Sequence, residues 1–168
     1  MNPFPYLIPF NSTQALGPDE NARILIDAIR DRDTRRISAM LASPSSINFQ
    51  YRESRTELTP FLRSCKEGDF GTARQLLSIR PDVGRAVDKF GYNCLHLAAI
   101  GGEDGRFVDL LAVKRRGSRV LDINALTKHG DSALTIASRR GNTIFASFIS
   151  SLVYSDMIRD SEMIDVEN

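Results

Sequence analysis

In the stretch Asp88-Lys89-Phe90-Gly91-Tyr92-Asn93-Cys94-Leu95-His96-Leu97-Ala98-Ala99-Ile100-Gly101-Gly102, a polar turn around Gly91 gives way to a run of apolar and small residues that stops at a glycine pair. Two other stretches align with it when the closing glycines are superposed: Thr59-Pro60-Phe61-Leu62-Arg63-Ser64-Cys65-Lys66-Glu67-Gly68 and Ser132-Ala133-Leu134-Thr135-Ile136-Ala137-Ser138-Arg139-Arg140-Gly141. Gly68 and Gly102 are 34 residues apart, and Gly102 and Gly141 are 39 apart. Spacing in that range marks a repeat of about 33 residues, here with one insertion. Small residues at Ser64, Ala98 and Ala137 let neighbouring helices approach, and Phe61, Leu95 and Leu134 supply apolar contact between layers. Each glycine ends a helix, because without a Cβ the left-handed backbone costs little. Second apolar stretches follow at Phe70 to Leu77, Phe107 to Leu111 and Ile144 to Ile149, read as short second helices.

An earlier, degenerate unit aligns through Met40-Leu41 on Leu76-Leu77, an offset of 36, which sets Ala28 over Ser64 and Ile29 over Cys65. Ile24, Leu25 and Ile37 fall on its buried faces. Ser43-Pro44-Ser45-Ser46 stands in for the glycine turn, and Arg30 to Asp33, Arg35 and Arg36 give the polar outer face that a terminal unit needs.

Asp88 to Ala99 resembles the opening of an ankyrin repeat, D-x-x-G-x-T-P-L-H-x-A-A, departing from it at Asn93 and Cys94, and Asp122-Ile123-Asn124-Ala125 matches the D-V-N-A that leads to the next hairpin. The resemblance covers about residues 20 to 150. It implies an all-α solenoid of stacked helix–turn–helix units with short β-hairpin fingers. The expected organisation is a Pro-rich apolar extension over 1–19, a repeat domain over 20–154 and an acidic tail over 155–168. Within the repeat domain, 20–53 is a degenerate cap, 54–87 a full repeat, 88–126 a repeat with the insertion, and 127–154 the C-terminal repeat.

Composition excludes several classes. With 22 Lys plus Arg against 21 Asp plus Glu, 42% hydrophobic residues and a formal charge of +1, the chain of 168 residues is neither disordered nor a strongly basic nucleic-acid binder. It has no apolar run long enough to span a membrane. Met1 to Phe10 is apolar but lacks a basic start and is broken by Pro3, Pro5 and Pro9, so secretion by a signal peptide is not expected. This proline-held segment either covers the first unit or serves as a linear motif. Cys65 and Cys94 are too few for a disulfide framework and read as reduced core thiols of an intracellular protein, cytoplasmic or nuclear. The two histidines, His96 and His129, do not assemble a catalytic set, and there is no phosphate-binding or zinc-protease motif, so no enzyme, cofactor or metal is expected. By the resemblance, His96 bonds the backbone of a neighbouring hairpin.

The resemblance implies one concave surface built from hairpin tips and the exposed faces of the first helices. Its residues here are Arg55, Thr56, Leu58, Lys66 and Glu67, then Lys89, Phe90, Tyr92 and Ile100, then Lys128, His129, Asp131, Arg139 and Arg140. Phe90 and Tyr92 flank Gly91 as solvent-facing aromatics; they either anchor an interface or fold back on the neighbouring turn. The insertion carries Lys114, Arg115, Arg116 and Arg119, read as a docking point for an acidic partner or as a solvated loop, and Arg106 to Arg140 sums to +5. Residues 155–168 sum to −4 and either shield the basic end, face a basic partner or form a short capping helix. Together these readings give a monomeric, non-catalytic protein-interaction module, an adaptor or inhibitor binding a protein with an acidic surface. Narrower alternatives are an IκB-like inhibitor of a transcription factor, a small pathogen- or virus-encoded ankyrin protein, or a regulatory or scaffolding subunit of an enzyme complex.

Overall fold

The computed structural model describes residues 16–101, 114–115, 118–119 and 121–164. Among them the chain is helical apart from one short hairpin. Pro18–Arg30 (α1) pairs with Thr34–Leu41 (α2), and Pro60–Lys66 (α3) pairs with Phe70–Ile79 (α4). Cys94–Gly101 (α5) follows, and Ala133–Arg140 (α6) pairs with Thr143–Ile164 (α7). α1 packs on α3, α3 on α5 and α5 on α6, so the first helices form a continuous row. The expected seam is present: Ser64, Ala98 and Ala137 are fully buried, as are Phe61 and Leu95, while Leu134 is half-buried. Burying each large apolar side chain is worth roughly 1.5–3 kcal/mol, and the one polar group at the seam is satisfied, Ser64 Oγ donating to the Phe61 carbonyl at 2.7 Å. The expected second stretch Phe107 to Leu111 lies outside the described residues, as do residues 1–15.

The step from first to second helix repeats in backbone detail. The amides of Asp33, Asp69 and Asn142 donate to the carbonyls of Ala28, Ser64 and Ala137 at 3.0, 2.9 and 2.9 Å. The residue before each is left-handed, Arg32 at φ 56°, Gly68 at 69° and Gly141 at 72°. Each Asp or Asn then turns its side chain onto the second helix, accepting from the amides of Arg36, Thr72 and Phe145. This satisfies donors that a helix start leaves unpaired. The first unit therefore has the same turn as those after α3 and α6, with Arg32 in the glycine position. Ser43 to Ser46 does not replace that turn; Pro44–Ser46 is a separate 3-10 turn after α2.

The structure bears on three further expectations. The expected β-hairpin fingers before the first helices are not shown among the described residues. Among the described residues these segments are tight turns with a single bridge, Leu126 to Ser132, because side chains and the neighbouring turn occupy the amides that a ladder would use. The strands present, Lys114–Arg115 (β1) and Ser118–Arg119 (β2), form an antiparallel hairpin within the insertion. Cys65 and Cys94 are not separate thiols but a disulfide joining α3 to α5 across a Cα–Cα distance of 5.5 Å, which removes reduced cysteines as an argument for the compartment. Finally, α7 runs for 22 residues through the expected boundary at 154/155, so the second helix of the last unit and the start of the acidic segment are one element. Among the described residues no helix is long and apolar enough to cross a membrane.

Candidate functional site

Three turns lead into α3, α5 and α6. They share a left-handed residue, Glu57 at φ 56°, Gly91 at 81° and Gly130 at 80°, and a polar residue capping the helix two positions on. Thr59, Asn93 and Ser132 accept from the amides of Leu62, His96 and Thr135 at 3.2, 3.1 and 3.1 Å. In the second turn Asp88 Oδ1 accepts from the amides of Phe90 and Tyr92 at 2.8 and 2.9 Å. In the third turn Thr127 Oγ1 takes the same role for His129 and Asp131, at 3.3 and 3.2 Å. An aspartate and a threonine do the same work because each places one acceptor oxygen inside its own turn. In the first turn Thr56 Oγ1 accepts from the Leu58 amide at 3.4 Å, and the Glu57 amide donates to the Glu53 carbonyl at 2.8 Å.

The turns are tied to one another. Lys89 Nζ donates to the Arg55 carbonyl at 2.9 Å, and Arg52 Nη1 donates to the Val87 carbonyl at 2.7 Å, joining the first turn to the second. The Lys128 amide donates to the Phe90 carbonyl at 2.9 Å, and a Cβ on Gly91 would lie 3.0 Å from that same amide. Buried His96 links the second turn to the third. Its Nδ1 accepts from the Asn93 amide at 3.1 Å, so the neutral ring carries its proton on Nε2, which donates to the Asp131 carbonyl at 3.1 Å. Burial holds the imidazole below its ordinary value, against the raising effect of the backbone bonds at Asp131 and Ala125. This is the backbone contact expected of His96 from the resemblance.

The sequence-derived surface residues divide. Arg55, Lys66, Lys89, Phe90, Ile100, Lys128, His129, Arg139 and Arg140 are exposed, Phe90 at 48%. Leu58 is buried, and Thr56 and Glu67 are half-buried. Tyr92 is not a solvent-facing aromatic: it is half-buried, set edge-on between Phe90 and His96 at ring distances of 6.4 and 5.8 Å. Phe90 keeps its exposed face, with the Lys89 ammonium 5.0 Å from its ring centre. Arg139 and Asp131 are bound to each other at 2.9 Å. Lys114, Arg115 and Arg119 lie on the inserted hairpin, and Arg116 lies outside the described residues.

Arg55, Lys66, Lys89 and Phe90 come together around one cavity of about 180 Å³, floored by Leu58 and Leu97 and shared with Asp88 and Thr56. Sequence spacing could have suggested this grouping, since Arg55 and Lys89 occupy the same turn position 34 residues apart.

Beneath the first turn, sequence reading missed a charge cluster. Arg63, with a side chain only 8% exposed, pairs with Glu53 and, at 3.1 Å, with Glu67. Burial raises the Glu53 carboxyl, but the Thr56 hydroxyl and the Arg63 guanidinium outweigh it and hold it below the ordinary value. Among the described residues no group of three or more His, Cys, Asp or Glu side chains is placed to hold a metal ion. Comparison with protein-family models and with curated proteins finds no match to this chain.

Proposed function

We propose that this chain is an ankyrin-repeat solenoid of about four units, and that it acts as a non-catalytic protein-interaction module, an adaptor or inhibitor. The row of first helices, the 34- and 39-residue spacing and the repeated turns support the arrangement. In such a solenoid the turns and the exposed ends of the first helices make one concave binding surface. The observation that carries the reading is Phe90. It sits at the tip of the central turn with 48% of its surface exposed, while the backbone beneath it is fixed by Asp88 and by the Lys128 amide. A large apolar side chain held rigidly in solvent contributes little to folding, and a rigid aromatic is a suitable interface anchor because little entropy is lost on binding.

The test is affinity capture from the native cell type with wild-type protein and with Phe90→Ala, compared by mass spectrometry. The expected outcome is a partner retained by the first and lost by the second at unchanged thermal midpoint. Recovery of the same proteins by both baits would overturn the reading.

A further inference from the structure

We propose that the cavity between the first and second turns receives a single carboxylate side chain from an extended, acidic segment of the partner. This rests on the concave-surface reading above and names the chemistry of one subsite within it. Three cations converge there, Arg55, Lys66 and Lys89, and among the described residues neither Arg55 nor Lys66 has an ion-pair partner. Lys89 is steered inward by the Arg55 carbonyl and the Phe90 ring, contacts that leave its positive charge uncompensated. Among the described residues one carboxylate, Asp88, lines the cavity, and its Oδ1 accepts from two backbone amides of its own turn. Three cations against the single Asp88 carboxylate leave the lining net positive, and an incoming carboxylate relieves the remaining repulsion while forming charge-assisted hydrogen bonds.

The cavity's shape narrows the choice. Its volume, about 180 Å³, suits one side chain, and its floor is apolar, with Leu58 and Leu97 buried to 2% and 6% exposure. A glutamate matches that combination, its methylene stem on the leucines and its head among the cations. The apolar stretch at the start of the chain supplies no such acid. Residues 1–15 contain no Asp or Glu.

The experiment is selection of displayed random peptides of about a dozen residues against the full chain, followed by fluorescence anisotropy with the resynthesised peptides. We expect the enriched peptides to share one Glu or Asp. Its replacement by Gln or Asn should weaken binding by about tenfold or more, and Lys66→Ala should cost a similar factor for the acidic peptide and almost nothing for its amide counterpart. Lys66 is exposed, and an unchanged thermal midpoint checks that the variant is folded. Peptides that bind without an acidic residue, ignore Lys66→Ala and are lost with Phe90→Ala would overturn the carboxylate subsite and leave the concave surface standing. Peptides indifferent to both substitutions would overturn both, and failure to enrich any peptide would overturn the subsite.

Discussion

The groove between the first and second turns and the groove between the second and third are walled by equivalent turns, yet they are finished differently. In the second groove the Lys128 amide bonds the Phe90 carbonyl, His96 reaches the Asp131 carbonyl, and Asp131 holds Arg139. These groups are spent on one another, while the Lys128, His129 and Arg140 side chains stay exposed at its rim. In the first groove the helices beneath are joined by the Cys65–Cys94 disulfide, while Arg55, Lys66 and Lys89 ring a cavity with their charges unmatched. Equivalent backbone thus supports a closed, structural seam in one place and an open, cationic one in the next. The difference lies in whether the side chains at the rim find partners within the chain.

The largest effect should come from cutting the covalent tie under the open groove. Replacing both Cys65 and Cys94 by Ser should lower unfolding free energy by roughly 3–4 kcal/mol, as expected for a crosslink closing a loop of this length. Denaturant titration measures it, and reductant should bring the wild type to the same curve. If neither lowers stability, packing alone holds α3 to α5 and the two grooves are less different than the bonds suggest.

Next come the glycines that shape the walls. Gly91→Ala should cost about 2 kcal/mol, because the left-handed backbone disfavours a Cβ and the new atom meets the Lys128 amide. Gly130→Ala has the same backbone conformation but open space around it, and should cost about half as much. Equal losses in thermal or chemical unfolding would show that the close approach across the second groove carries no energy.

The histidine of the closed groove should give it a pH signature that the open groove lacks. His96 binds a proton less readily folded than unfolded, so its stabilising effect is complete above the ordinary value of about 6.5. Stability should decline as pH falls below that value, with a slope of at most about 1.4 kcal/mol per pH unit. Glu53 acts in a separate, more acidic window. Its carboxyl is held low, so its contribution is present above about 4.5 and is lost as pH falls through the lowered value. Unfolding curves from pH 8 to 5 should show the first decline in the wild type and not in His96→Gln.

The smallest effect should be a gain. The first turn uses Glu57 where the other two use glycine, and Glu57→Gly should raise stability by about 0.5–1 kcal/mol, detectable as a small rise in melting temperature. No gain would mean that the charge or packing of Glu57 offsets its backbone strain.

Much of this framework was legible because it depends on short-range chemistry. Gly68 and Gly141 adopt the left-handed conformation that their position at the end of a small-residue helix predicts, and the seam of Ser64, Ala98 and Ala137 is buried as periodicity requires. What escaped was the same geometry written in other residues. Arg32 and Glu57 occupy left-handed positions without being glycine, and the surrounding bonds impose on them a conformation their own preferences disfavour. The caps at Asp33, Asp69 and Asn142 were available as a signal, since each directly follows a left-handed residue and precedes a second helix.

The sequence by itself determined the period of the units, the glycine stops after α3 and α6 and the small residues between the first helices. Each of these follows from backbone sterics and the burial of side chains a few positions apart. The tertiary structure alone decided the rest. Cys65 meets Cys94 because α3 stacks on α5, Tyr92 turns inward because His96 offers its ring, and Arg63 is buried because Glu53 and Glu67 arrive from either side. Whether a surface cation ends as a strut, like Arg139, or stays open, like Lys66, depends on what the neighbouring unit places opposite it. Side-chain preference along one chain segment carries no record of that opposing group.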